Sequence, residues 1–163
     1  MAKTDLTAKR LREIINYDPI TGILTSRGSG ADIGRIQARG YVHVTVFGRS
    51  YLAHRIAWIF VNGVWPTNEI DHINGDRADN RLTNLREATT SENAQNRKTR
   101  ADNTSGFTGV RPHQSAWRAD IKINGKYKFV GSYSTPELAY AAYLVAKIKV
   151  HKFQPIPRRF VGA

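Results

Sequence analysis

Two adjacent residues, Asp71 and His72, place a carboxylate directly beside an imidazole. An imidazole with an ordinary pKa near ~6.5 exchanges a proton close to neutral pH, and carboxylate oxygens bind hard divalent cations. Alone, such a pair is usually a surface hydrogen bond. Two asparagines follow at fixed distances, Asn84 twelve residues and Asn93 twenty-one residues after His72. Alone, Asn84 would suit a turn and Asn93 the start of a helix, so the pattern matters more than any member.

The elements around these residues predict a ββα unit at about residues 69–97. A first strand would carry Asp71 and His72, a loop would follow, and a second strand would return near Leu85. Thr89 and Glu92 have the spacing of a capping box, which opens a helix that would carry Asn93.

Further elements precede this unit. Residues 6–16 predict a short helix, 23–25 a strand, and 41–47 a strand rich in β-branched residues. Residues 53–62 fit a buried helix that ends at Gly63.

With these motifs, the chain resembles the HNH endonucleases, in the subgroup found in phage and intron-encoded enzymes. The resemblance covers about residues 17–97. The matching positions are His54, Arg55 and Trp58 ahead of the motif, then Asp71 to Gly75, Asp79, Asn80, Asn84 to Arg86, Ser91 to Asn93, and Asn96.

The resemblance implies a division of labour in phosphodiester hydrolysis. His72 would be the general base that activates water. Asp71 and Asn93 would hold one divalent metal ion, Mg²⁺ or Mn²⁺, through oxygen. Asn84, the family's middle asparagine, would belong to the catalytic set by orienting His72 or the loop through hydrogen bonds.

Neighbouring residues have two open interpretations. His54 is either a structural histidine or an active-site residue. Asn96 and Arg97, one helical turn beyond Asn93, either reach a DNA phosphate or form a solvated helix surface.

The second half of the chain has its own pattern. Residues 107–111 and 117–123 predict strands, Asn124-Gly125 a hairpin turn, and residues 126–130 a third strand. Ser134 or Thr135 would cap a helix that runs to about Lys149. The helix residues expected to cover the sheet are Leu138, Ala142, Val145 and Ile148.

The motifs at residues 105–111, 117–121 and 129–133, with Ala139, Ala142 and Tyr143 of the helix, resemble the plant Apetala-type DNA-binding domain, and the resemblance covers about residues 104–152. The resemblance implies a three-stranded sheet that enters the major groove. Strand alternation places Trp117, Ala119, Ile121 and Ile123 on the helix side and Arg118, Asp120, Lys122 and Asn124 on the other. The expected DNA contacts are Arg111, Arg118, Lys122, Tyr127 and Lys128. The strands hold fewer Trp and Arg than the family's, and a generic basic α+β scaffold is the alternative.

Charge and composition favour a polyanionic partner. Twenty-five Lys and Arg oppose thirteen Asp and Glu, a formal net charge of +12. Such an excess on a short chain favours nucleic acid. Without cysteine, disulfides and Cys-based zinc sites are excluded. Apolar runs are too short to span a membrane, and the first residues are too polar for a secretory signal. The expected location is the cytoplasm, that of the host if a phage encodes the chain.

The sequence thus predicts an α+β protein with a nuclease domain (1–97), a basic linker (98–104) and a DNA-binding domain (105–155). We expect a monomeric, metal-dependent endonuclease acting on double-stranded DNA, without a small-molecule cofactor. The alternatives are a DNA-binding regulator whose HNH region is structural, and an RNA- or ribosome-associated basic protein. The target sequence, nicking against double-strand cleavage, and a role in homing, defence or packaging stay open.

Overall fold

The computed structural model describes residues 6–95 and 103–153, which belong to two compact units divided between Asn93 and Ala94. Both combine small antiparallel sheets with helices, so the predicted α+β class is confirmed. Arg97 and residues 98–102 of the predicted linker lie outside the described residues. Within the described residues, none of the helices has the length and apolar character needed to cross a bilayer.

The first unit consists of short elements around one core. In chain order they are α1 (Ala8–Ile14), β1 (Ile15–Tyr17), β2 (Leu24–Ser26), β3 (Gly34–Ile36), β4 (Val42–Val46), β5 (Arg49–Leu52), α2 (Ala53–Asn62), β6 (Glu69–His72), β7 (Leu85–Ala88) and α3 (Thr90–Gln95), whose last two residues belong to the second unit. The largest fully buried side chains of its core are Leu11, Ile56, Ile59 and Val44.

The helix α2 has the predicted bounds and ends at Gly63, which adopts the left-handed conformation. The first helix is shorter than predicted. It ends at Ile14 because Ile15 and Tyr17 alternate inward as a strand, which pairs antiparallel with β2. That early turn into strand places the Tyr17 side chain in the core, where it supports the site described below.

The strands β6 and β7 form an antiparallel hairpin that α3 follows directly, as the predicted ββα order requires. Asp71 pairs with Arg86 and His72 with Leu85 across the hairpin. The capping box is confirmed: Glu92 Oε2 accepts from the Thr89 N–H at 2.9 Å, and Thr89 Oγ1 accepts from the Glu92 N–H at 3.2 Å.

The second unit forms, in its described residues, a three-stranded antiparallel sheet with one helix. Its elements are β8 (Val110–His113), β9 (Ala116–Ile123), β10 (Lys126–Tyr133) and α4 (Pro136–Val150), and β9 is the central strand. Asn124 and Gly125 both have positive φ, 49° and 81°, which confirms the predicted hairpin turn. Thr135 caps α4, accepting from the Leu138 N–H at 3.3 Å.

The prediction that the first strand spans 107–111 was wrong in its bounds, because the strand begins at Val110. The Ser105 hydroxyl organises the preceding segment as a turn. Its oxygen accepts from the Phe107 N–H at 3.2 Å, and it lies 2.8 Å from the Val110 carbonyl oxygen. The segment is therefore held by side-chain hydrogen bonds before sheet pairing starts.

The predicted inner face of α4 was also wrong. Leu138, Val145 and Ile148 are exposed, and the buried helix positions are Ala139, Tyr143 and Lys147. The cause is close packing at Gly109, where a Cβ atom would lie 2.4 Å from the Tyr143 ring. The sheet therefore accepts the face that carries Ala139 and Tyr143, and the longer aliphatic side chains point away.

Candidate active site and nucleic-acid interface

His72 is the last residue of β6 and is buried. Its Nε2 lies 3.3 Å from Oδ1 of Asn80, and its ring meets the His54 ring edge-on with centroids 4.9 Å apart. The centroid of the Tyr41 ring lies 5.5 Å from the centroid of the His54 ring and 6.1 Å from that of His72. Burial lowers the pKa of His72, although the Asn80 hydrogen bond and nearby carboxylates act in the opposite direction.

Asn80 is fixed from the β1–β2 side of the unit. The buried Tyr17 hydroxyl donates to the Asn80 carbonyl at 2.8 Å, and burial raises the Tyr17 pKa to about 12. Gly22 allows the close approach, since a Cβ there would lie 2.5 Å from the Arg81 nitrogen, and its φ is +78°. The partner of His72 is thus held by Tyr17, which lies 63 positions before Asn80 in the chain.

Asn84 lies in the loop between β6 and β7 and joins both ends of it. Its Oδ1 accepts from the Asn74 N–H at 3.0 Å, and its Nδ2 donates to the Asp79 carbonyl at 2.8 Å. The Asn84 carbonyl also accepts from the Ile73 N–H at 2.9 Å. Asn74 closes the loop further by donating to Asp79 Oδ2 at 2.7 Å.

Asp71 is buried and is paired with a cation. Oδ2 of Asp71 accepts from Nε of Arg86 at 2.9 Å and from Nη2 at 2.7 Å. The pairing follows from the hairpin register, which sets the two residues directly opposite one another.

Asn93 is brought to β6 through Glu69. Its Nδ2 donates to Glu69 Oε2, and the Thr90 hydroxyl donates to Glu69 Oε1 at 3.0 Å. Glu69 and Asp71 are two residues apart in one strand, so they face the same side of the hairpin. Asn93 therefore lies on the same face of the hairpin as Asp71, whereas strand alternation directs His72 to the opposite face.

The donor set on this face suits a hard cation. Asp71 contributes a carboxylate and Asn93 an amide oxygen, and Glu69 is an additional carboxylate beside them. Among the described residues, no group of three or more His, Cys, Asp or Glu side chains could enclose a metal ion. Mg²⁺ commonly takes only one or two protein carboxylates and completes its shell with water and substrate phosphate, so the residues fit.

The second unit presents a sheet face with three basic residues. Arg111 and Arg118 lie directly opposite one another on β8 and β9. Asp120 accepts from Arg111 Nε at 3.2 Å, and its two oxygens accept from Arg118 Nε at 3.0 and 2.9 Å. Lys122 and the exposed Tyr127 are cross-strand partners, with the Lys122 ammonium 5.6 Å from the ring centroid.

Lys128 does not join this face. It pairs with Ile121, whose side chain packs in the core of the unit, so it projects towards the helix side. The pleat places Phe129 on the basic face instead, opposite Asp120. Arg97, also expected to contact DNA, lies outside the described residues.

Sequence reasoning gave no role to Glu69, Tyr41 or Arg86. Glu69 was detectable, because strand alternation places it beside Asp71. Arg86 follows from the hairpin register once both strand bounds are known. Tyr41 leaves no local signal, since it reaches His72 only through the fold.

Part of the chain is similar to known proteins. A family model described as HNH endonuclease matches residues 51–95. Protein 3.8 of Escherichia phage T7 is 38% identical over 76 residues, which cover 45% of this chain and 63% of that protein. The chain thus spans less than two thirds of that relative. A solved structure, described as DNA binding and cleavage by the HNH homing endonuclease I-HmuI, is also similar. It aligns with a TM-score of 0.46 and 20% identity over 88% of this chain and 87% of that one. Residues 51–95, from β5 to α3, are therefore similar to HNH endonucleases.

Proposed function

We propose that this protein is a metal-dependent endonuclease that hydrolyses phosphodiester bonds in duplex DNA. The observation that carries the proposal is the buried His72, held by Asn80 and next to Asp71 at the end of β6. This arrangement lies within the segment similar to HNH endonucleases.

His72 is the general base in this proposal. Burial lowers its pKa, which favours the neutral imidazole at physiological pH. The neutral ring takes a proton from water, the water oxygen attacks phosphorus, and the bond from phosphorus to the 3′ oxygen breaks, with the departing 3′ oxygen taking a proton from solvent water. Asn80, with its oxygen towards the ring, accepts from Nε2–H and selects the tautomer whose basic nitrogen is Nδ1.

Asp71 and Asn93 would hold the divalent cation. When bound, Mg²⁺ or Mn²⁺ supplies Lewis-acid stabilisation of the negative charge that builds on the phosphate. The Arg86 guanidinium orients the Asp71 carboxylate in the protein alone. Asp71 and His72 leave β6 on opposite faces, because successive side chains of a strand alternate.

Asn84 acts as a positioning residue. Its side chain ties Asn74 to Asp79, so it sets the loop that carries Asn80 to His72. The basic sheet face of the second unit, with Arg111, Arg118, Lys122 and Tyr127, anchors the chain to duplex DNA. Arg97 is a further proposed phosphate contact.

A plasmid-nicking assay tests the activity directly. Supercoiled plasmid should be converted to open-circular or linear form with Mg²⁺ or Mn²⁺, and EDTA should abolish the conversion. Asp71→Asn should lose the metal response, whereas Asp32→Asn, which changes charge equally elsewhere in the unit, should keep it. Full cleavage in excess chelator would remove the metal from the mechanism.

A second candidate, a DNA-binding regulator with a structural HNH region, is favoured by the Asp71–Arg86 pair. Both guanidinium contacts use Oδ2 of the proposed ligand, so a cation would compete with Arg86. Duplex binding without any nicking in Mg²⁺ or Mn²⁺ would select this function.

A further inference from the structure

We propose that Asp120 is a specificity-determining residue of the sheet face, because it fixes the guanidinium groups of Arg111 and Arg118 for base recognition. The inference rests on the proposed anchoring of duplex DNA by the second unit. Asp120 is an acidic residue on a basic face that we propose binds a polyanion.

The strand register places two arginines side by side, and Asp120 neutralises part of their repulsion. Arg111 and Arg118 stand directly opposite on neighbouring strands, where like charges repel. Asp120 lies two residues from Arg118 on the same face of β9 and bonds to both side chains. Nη2 of Arg118 lies 2.9 Å from Oδ1, and Nε of Arg111 lies 3.2 Å from Oδ2.

Burial shows that this carboxylate is not a solubilising surface charge. Asp120 is only 8% exposed, whereas the Arg111 side chain is 65% exposed. Burial acts to raise the Asp120 pKa, but the hydrogen bonds from Arg118 and Arg111 outweigh it and hold the pKa below its usual value. Asp120 is therefore ionised under the conditions in which the face would meet DNA.

Phe129 holds Arg118 from a second direction. Phe129 is the cross-strand partner of Asp120, and the Arg118 guanidinium carbon lies 4.7 Å from its ring centroid. The ring is 58% exposed, so a large apolar side chain is left at the surface beneath a cation. Stacking on the ring and hydrogen bonds in its own plane together define where the guanidinium points.

A fixed guanidinium and a mobile one serve different purposes on DNA. Mobile basic side chains follow phosphates and carry no sequence information. A guanidinium held in one orientation presents its donors in a pattern that only some base edges match. Asp120 is the single acidic residue of the described strands β8, β9 and β10, and its charge weakens attraction to phosphate. The face therefore exchanges general affinity for selectivity.

The test uses the full chain in EDTA, with duplexes randomised over about twelve base pairs. Wild type, Asp120→Asn, Arg118→Lys and the control Glu137→Gln are each used to select bound duplexes. Glu137 is exposed in the first turn of α4, and its change alters net charge as Asp120→Asn does. Affinity for the unselected pool is measured from 50 to 300 mM salt, and circular dichroism checks folding.

Wild type and Glu137→Gln should enrich the same sequence. Asp120→Asn should bind the unselected pool at least as tightly, with a salt slope steeper by about one, and its preference for the enriched sequence should fall roughly 5- to 100-fold. Arg118→Lys keeps the charge but cannot form the planar contacts, so it should lose enrichment with the salt slope unchanged.

Equal enrichment by a folded Asp120→Asn would overturn the inference. If Asp120→Asn does not fold, equal enrichment by Arg118→Lys would overturn it. Failure of wild type itself to bind the duplex pool would instead reject the anchoring function on which the inference rests.

Discussion

His72 is the proposed base, and the residues that contact it, Tyr41, His54 and Asn80, come from three separate parts of the chain. Replacing His72 by Ala should lower the cleavage rate at least ~10²-fold, the usual contribution of a general base, and leave DNA affinity nearly unchanged. Nicking kinetics and a binding assay in EDTA measure the two quantities. His43→Ala, which removes an imidazole from β4 that contacts Ser50, is the matched control. Equal rates for His72→Ala and wild type would exclude His72 from the chemistry.

His54 makes the first unit sensitive to acid. Burial, assisted by the neighbouring His72, lowers the His54 pKa to about 3, and within the described residues its Nδ1 has no hydrogen-bond partner. In the unfolded chain His54 titrates near ~6.5, so below that pH the unfolded state binds more protons than the folded state. The free energy of unfolding should therefore fall as pH drops from about 6.5 towards 3, by up to ~1.4 kcal/mol per pH unit, with no contribution from His54 above that window.

Urea unfolding at pH 7 and pH 5 checks this expectation. His54→Gln should lose about 2 kcal/mol less between the two pH values than wild type. His113→Gln, which changes an exposed histidine of the second unit, should retain the wild-type pH dependence. The same pH dependence in His54→Gln and wild type would show that another group is responsible.

Single residues also mark how far the sequence alone could lead to the site. Asp71, His72, Asn84 and Asn93 were identified as candidates by type and spacing, and the structure places each on the predicted ββα unit. The contacts that these residues make were harder to predict from the sequence. Asn80 reaches His72 because the distant Tyr17 fixes its backbone, and no local pattern encodes that distance.

At the scale of elements, prediction succeeded where one strong local signal dominated. The Asn124-Gly125 turn and the α2 C-terminus at Gly63 each depend on a backbone conformation that those residue types favour. The α4 face was missed because hydrophobicity favoured Leu138, Val145 and Ile148. Shape decided instead, since Tyr143 fits against the bare backbone of Gly109.

Substitutions on the two faces of α4 provide a direct test of this packing. Ala139 is fully buried against the sheet, so Ala139→Leu should overpack the core and cost about 1–3 kcal/mol of unfolding free energy. Leu138→Ala removes an exposed side chain and should change stability by less than about 0.5 kcal/mol. Chemical unfolding followed by far-UV circular dichroism compares them. A larger loss for Leu138→Ala than for Ala139→Leu would reverse the assignment of faces.

At the scale of the whole molecule, the boundary between the units lies inside α3 and not in the basic segment after it. Within the second unit, the Gln95 carbonyl accepts from Nζ of the buried Lys147 at 2.7 Å, and Gln95 Oε1 accepts from the Phe153 N–H at 3.3 Å. A fragment of residues 94–163 should therefore be more stable than one that begins at Thr104, because the shorter fragment takes the Gln95 carbonyl away from a buried cation.

The proposed division of labour between cleavage and anchoring predicts how these fragments behave. Residues 94–163 should bind duplex DNA with an affinity that falls steeply with salt, by about 0.9 in log K per log salt for each phosphate neutralised. Residues 1–100 should retain metal-dependent nicking but need at least ~10-fold more protein and lose selectivity, because the tether no longer raises the local concentration of the nuclease at DNA. Adding residues 94–163 as a separate chain should not restore full nicking activity, because the two parts are no longer tethered. Nicking by residues 1–100 at the same concentrations and with the same sequence preference as the full chain would show that the second unit is not the anchor, and its basic face would then be a solvated surface.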